Sequence, residues 1–246
     1  MNFIGTGTRL SDVDLPRIGA AIDVGEDEIH AVLDVEARGK GFDSQKRPVM
    51  LFEPHIFYRQ LSGEQRNEAV HRNLAYPKWR RDYPSDSYPR LERALMINKD
   101  AALQSASWGL GQVMGFNHKL AGYDTAEAMV GAFMKGEAEQ LAGMVSFIKN
   151  TGLDKHLRNH DWARFAQGYN GSGYAANQYD KKLAAAYQRW AAIPDTAWKQ
   201  TLAIVTLHKE PDVTITASPV PTHTAEPANA PWWAHLFAAI TRMFSK

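Results

Sequence analysis

From about residue 9 to residue 207, apolar side chains recur at helical spacing, and one short stretch breaks that rhythm. In RPVMLFEPHIFYRQ the run Val49-Met50-Leu51-Phe52 lies between Pro48 and Pro54, and proline is hostile to a helix interior. That stretch reads as one short strand, with Glu53 at its end. Everything around it reads as helix. GEDEIHAVLDVEARG opens with acids, which suit a helix N-terminus, and stops at Gly39, a natural C′ residue. YPRLERALMINKDAALQS is helical, with Pro89 in the first turn. Met129, Phe133, Leu141, Met144, Val145 and Ile148 continue the helical pattern up to Gly152. HDWARFAQGYN and YDKKLAAAYQRW complete the set. Much helix with one small β element implies an α+β, predominantly helical architecture; the pattern alone also allows a plain helical bundle.

The chain divides by composition. Residues 1–8 are a short Gly/Thr-containing lead, and residues 9–207 carry the dense patterning of a folded domain. Residues 208–230 are rich in Pro, Thr and Ala with little apolar bulk, as expected of an extended linker. Residues 231–246, PWWAHLFAAITRMFSK, place Trp232, Trp233, Leu236, Phe237, Ile240, Met243 and Phe244 at helical spacing, with Arg242 and Lys246 near the end. This is too short to span a bilayer but fits an amphipathic interfacial helix. It could contact membrane or lipopolysaccharide, or dock on the protein itself.

Several function classes fall away. The net charge of +1 gives no global basis for nucleic-acid binding, and the absence of cysteine excludes disulfides and thiolate chemistry. The first residues lack a basic and then apolar leader, so synthesis in the cytoplasm without a secretory signal is expected. No H-E-x-x-H, phosphate-binding glycine loop or nucleophile elbow occurs. His156 and His160 are four apart but lack a third ligand, so no metal and no cofactor are expected.

One residue conflicts with the pattern. Positions 29, 32, 33 and 36 share a helix face, and after Ile29, Val32 and Leu33 the fourth is Glu36. Burial would raise its carboxyl pKa, and so would the negative end of the helix dipole. Both favour a proton retained near neutral pH, which a general acid for glycosidic cleavage needs. A rotated helix with a solvated Glu36 near Arg38 is the bland alternative. Two glycine-bearing segments add context. SASWGLGQVMGF places Trp108, Gln112 and Met114 among glycines 109, 111 and 115, which implies backbone closely approached by something else. An aromatic face beside an amide suits sugar rings; a turn with a core Trp is the alternative. FAQGYNGSGY offers Tyr169 to a carboxyl group and Asn170 to an acetamido group, or is a simple Asn-Gly turn. Glu53 is the best second carboxylate, unless it pairs with Arg47, Arg59 or His55; Asp34 and Asp43 are weaker choices.

In chain order, VEARGKGF, RPVMLFEPHIFYR, SASWGLGQVMGFN and FAQGYNGSGYA resemble the N-acetylmuramidase family of phage and prophage endolysins. That family lies within the goose-type lysozyme and soluble lytic transglycosylase superfamily. The resemblance spans roughly residues 10–190. It implies that Glu36 is the catalytic glutamate and that Gln112, Tyr169 and Asn170 line a saccharide groove. Ala37 and Gly111 depart from the superfamily's usual Ser and Met. The implied activity is hydrolysis of the β-1,4 bond between N-acetylmuramic acid and N-acetylglucosamine in peptidoglycan, after holin-dependent release to the periplasm in phage lysis. A lytic transglycosylase yielding a 1,6-anhydro product, or a non-catalytic murein-binding module, would share the scaffold.

Overall fold

The apolar stripe at 29, 32 and 33 folds as its spacing requires. In the computed structural model, which describes residues 2–36, 40–80 and 86–198, Glu26–Glu36 is helix α2, and Ile29, Val32 and Leu33 are all buried. Helix α1, Asp14–Gly19, precedes it and packs against it. A capping interaction starts α2: the Glu28 carboxylate accepts from the Gly25 N–H at 3.0 Å, satisfying one of the donors that a helix start leaves free.

The strand prediction needs correction at its end. Strand β1 is only Met50–Phe52, and Pro54 opens helix α3, Pro54–Gln60. Proline at N1 loses no hydrogen bond, and it drives the preceding residue to extended backbone. Glu53 is therefore the helix-capping position, at φ −109° and ψ 94°, and not a strand residue. Helix α4, Gly63–His71, follows.

The helix expected across residues 88–105 is two helices, α5, Tyr88–Leu95, and α6, Lys99–Gln104. The break falls at Asn98, whose side chain accepts from the Ala101 N–H at 2.9 Å; this capping bond outcompetes continuation. β2, Ala106–Trp108, and β3, Val113–Met114, then complete an antiparallel sheet in the order β1-β2-β3. Met50 stands opposite Trp108, Phe52 opposite Ala106, and Ser107 opposite Met114. Every residue of the three strands is buried, and all but Ser107 are apolar.

Helices α7, Ala126–Phe133, and α8, Glu137–Asn150, carry the 129–148 pattern on their buried sides. Then come α9, Asp154–Arg158; α10, Trp162–Asn170, capped by Asp161; and α11, Tyr179–Trp190, which lies along α2. Among the described residues the expected helix-dominated α+β architecture holds.

The lead is a structural part of the fold. Phe3 is 1% exposed and stacks on Trp108, with ring centroids 5.7 Å apart. Backbone bonds from Gly5 to Lys46 and from Thr6 to Met134 pass this segment between the loop after α2 and the α7–α8 turn. The linker at 208–230 and the amphipathic segment at 231–246 lie outside the described residues, as does the end of the 9–207 domain.

Candidate active site

Glu36 is the last residue of α2, one turn beyond the buried Val32 and Leu33. Its side chain and residues 37–39, and with them its expected burial and its proximity to Arg38, lie outside the described residues. The helix carrying it is firmly held. Asp34 accepts from the Trp190 indole N–H at 2.9 Å and from the Arg189 guanidinium at 3.1 Å. The His30 ring stacks on Trp190, with centroids 3.7 Å apart. Burial lowers the His30 pKa, against the raising influence of Glu26, Asp34 and Asp12. Near the start of α2, Glu28 meets His160 at 2.7 Å and Glu26 accepts from the Thr196 N–H at 2.7 Å.

After α2 the chain forms a closed loop. Gly41 accepts from Val49 N–H, Phe42 pairs with Pro48, and Asp43 holds Arg47 through its guanidinium at 2.7 Å. Tyr88 donates its hydroxyl to Pro48 O at 2.6 Å while the Arg47 guanidinium covers its ring. Burial drives the Tyr88 phenol pKa well up, so it stays a neutral donor. Asp34 and Asp43, the weaker carboxylate candidates, are thus both bound to cationic or N–H donors.

The SWGLGQVMG segment is the β2–β3 hairpin, and its turn meets that loop. Gly109 N–H donates to Val49 O at 2.8 Å. Gln112 adopts φ +45° and directs its amide inward: it donates to Gly109 O at 2.8 Å and Val49 O at 3.3 Å and accepts from Ser107 Oγ at 2.9 Å. The expected close approach to the glycines is real, and the approaching groups belong to the protein itself: a Cβ on Gly109 would lie 2.9 Å from the Gln140 side chain, and one on Gly111 would lie 2.6 Å from Met144 Cγ.

Trp108 departs from its expected role. It is 0% exposed, packs on Phe3 and donates its indole N–H to Leu103 O at 3.1 Å, so it offers no face to a sugar ring. The core reading left open by the sequence is the observed one. Met114 is also buried on β3. Tyr169 and Asn170 form the last turn of α10, where Gly171 at φ +78° ends the helix. Tyr169 is half-buried, stacks on Phe165, and donates its hydroxyl to Gly111 O at 2.8 Å. It therefore joins the hairpin turn, which brings Gln112 and Tyr169 into one neighbourhood. Asn170 is buried, and its amide nitrogen meets no acceptor among the described residues.

Glu53 is 0% exposed, with its carboxylate 3.3 Å from His55 Nδ1, and His55 is itself buried. Of the pairings open to it, the one with His55 is realised. No surface of its carboxyl is available to activate a water molecule.

Two residues that sequence reasoning passed over are central here. Glu137 is 3% exposed; it accepts from Gly41 N–H at 2.7 Å, from Arg9 at 2.8 Å and from Leu10 N–H at 3.1 Å. Gln140 is 0% exposed; it accepts from Leu110 N–H at 2.9 Å and donates to Gly41 O at 3.2 Å and Phe133 O at 3.0 Å. Their partners lie up to 128 residues away in sequence, so no local pattern marked either residue. Among the described residues no group of three His, Asp or Glu side chains is arranged to hold a metal.

Residues 26–191 match the family model Muramidase, described as N-acetylmuramidase. The crystal structure of Burkholderia AP3 phage endolysin is similar, with a TM-score of 0.69 and 39% sequence identity, covering 75% of this chain and 73% of that one. No curated protein matches. A helix ending on a glutamate, a glycine-rich hairpin and a Tyr-Asn helix end, on a chain that matches the family model over most of its length, place this protein in the N-acetylmuramidase family, as a lysozyme-type glycoside hydrolase that cleaves peptidoglycan.

Proposed function

We propose that the enzyme is a phage or prophage endolysin that cleaves the muramic acid–glucosamine β-1,4 bond with Glu36 as its general acid. The observation that carries this reading is the position of Glu36: it ends a helix whose buried face leads to it, and it precedes in the chain the 41–49 loop, which is pinned to the hairpin of Gln112 through Val49. A carboxyl at a helix C-terminus has its neutral form favoured by the dipole. It protonates the leaving glycosidic oxygen while water attacks the anomeric carbon. The burial of Glu53 favours a mechanism in which Glu36 works without a second carboxylate touching the substrate. The amide nitrogen of Asn170 has neither an acceptor nor accessible surface among the described residues, so its contact with a saccharide carbonyl requires the end of α10 to shift. The likeness to a phage endolysin supports the lytic role, with release to the wall after synthesis. Among the described residues no helix is long and apolar enough to cross a membrane.

Digestion of purified sacculi tests the reaction. Wild type yields products with free reducing ends, and Glu36→Gln yields none while still binding murein. A 1,6-anhydro product would mark a transglycosylase, and a wild type that cuts nothing would mark a binding module. The amphipathic segment 231–246 is proposed to bring the enzyme to anionic membrane or lipopolysaccharide. Deleting it should weaken sedimentation with anionic liposomes; unchanged sedimentation removes that role.

A further inference from the structure

We infer that Glu137 and Gln140 are positioning residues for the catalytic acid, acting as one clamp between the 41–49 loop, which begins five residues after Glu36, and the hairpin that carries Gln112. The inference rests on the reading of Glu36 as the acid.

Gly41 lies five residues after Glu36, and both of its backbone polar groups are taken by α8. Its N–H goes to Glu137 and its C=O receives Gln140. The opposite wall is held by the same side chain, since Gln140 Oε1 accepts from Leu110 N–H in the hairpin turn. Gln140 uses one acceptor and both amide hydrogens, to three segments that are 30, 99 and 7 residues away in sequence. Of the side chains of this size, only an amide provides that combination. The fit is tight: a Cβ on Gly41 would overlap the Gln140 side-chain oxygen, and one on Gly109 would lie 2.9 Å from it. Glycine at both positions is therefore a steric consequence of the clamp. Glu137 extends it outward, because its second oxygen holds Leu10 N–H and so couples the N-terminal segment to the same loop. A buried network with every member satisfied holds one geometry, and a displacement of about 1 Å at a reacting group is enough to slow a reaction severely.

Three variants test the clamp: Gln140→Glu, Gly41→Ala and Glu137→Gln. Gln140→Glu keeps the shape but faces two carbonyl oxygens with an oxygen. Gly41→Ala keeps both polar partners but displaces the loop. Glu137→Gln keeps one carbonyl oxygen and loses the charge that holds three donors. Each is compared with Leu157→Ala, a buried site on α9 away from this network. Reducing-end release is measured on purified sacculi against substrate concentration and pH, well below each variant's Tm. The clamp variants are expected to lose about tenfold or more in maximal rate, with half-saturation changed by less than about threefold. The pH profile should shift too, because moving an acid relative to its neighbours changes how readily it holds its proton. Leu157→Ala should lower Tm while leaving maximal rate and profile in place. Folded clamp variants that differ from wild type only in Tm would overturn the inference. Glu36→Gln, run in parallel, separates the two readings: if it retains activity, the assignment of the acid fails; if it is inactive while the clamp variants are fully active, only the clamp fails.

Discussion

Glu53 and Glu137 are both buried carboxylates, and they differ in what surrounds them. Glu137 receives an Arg9 N–H and two backbone N–H groups at 2.7 to 3.1 Å. Glu53 faces a single buried imidazole at 3.3 Å, and neither of its oxygens has a hydrogen-bond donor in good geometry among the described residues. A buried charge is tolerated when donors surround it, and is otherwise a burden on stability. The residue that drew attention in the sequence is the poorly partnered one, while the one that looked like an ordinary surface acid organises the loop beside Glu36. Burial alone does not mark a role; the donors gathered around the group do.

The comparison can be broken most easily at Glu137. Glu137→Ala leaves Gly41 N–H and Leu10 N–H without an acceptor, and should destabilise the fold by about 2–4 kcal/mol, read from urea unfolding. A loss below about 1 kcal/mol would put Glu137 on a par with a surface acid. Glu53→Gln should have a smaller effect, within about 1.5 kcal/mol of wild type in either direction, because it keeps the shape and the side chain has no well-formed hydrogen bond to lose. It should also retain bacteriolytic activity. If Glu53→Gln folds yet is inactive, Glu53 takes part in catalysis and the single-acid proposal fails.

The smallest effect concerns His30, the buried-side titrating group of α2. Burial holds its pKa below the usual 6.5, so the unfolded chain binds the proton first as pH falls. Its stabilising share is complete above that value and declines as pH drops through 6.5 toward the lowered folded pKa. Tm should therefore fall on acidification across this range, and the slope should flatten in His30→Phe, which keeps the ring stacked on Trp190. An unchanged slope would mean that His30 is not the source.

Much of the helical layout was legible because it depends on near neighbours. Ile29, Val32 and Leu33 bury together since 3.6-residue geometry leaves them no other face, and Asp161 caps α10 through an N–H three residues on. Some misreadings had local signals too: Pro54 is a good helix N1 residue, and Asn98 is a good N-cap, so Glu53 and the α5–α6 break could have been placed correctly. Phe3 and Gln140 are different. Phe3 meets Trp108 across 105 positions and Gln140 reaches Gly41 across 99, and no periodicity encodes a pairing of that separation. Glu137, in a first turn with Glu139, looks like a dipole-stabilising surface acid. In the site, Glu36 stood out as an interruption of an apolar stripe, whereas Trp108 carries no local mark that distinguishes a core indole from a sugar platform.

The most direct test of the whole account is muropeptide analysis of sacculi digested by wild type and by Glu36→Gln at equal folded concentration. The account predicts fragments ending in reducible N-acetylmuramic acid from wild type, and intact sacculi, still bound by protein, from Glu36→Gln. Wild-type rates from Glu36→Gln would contradict it.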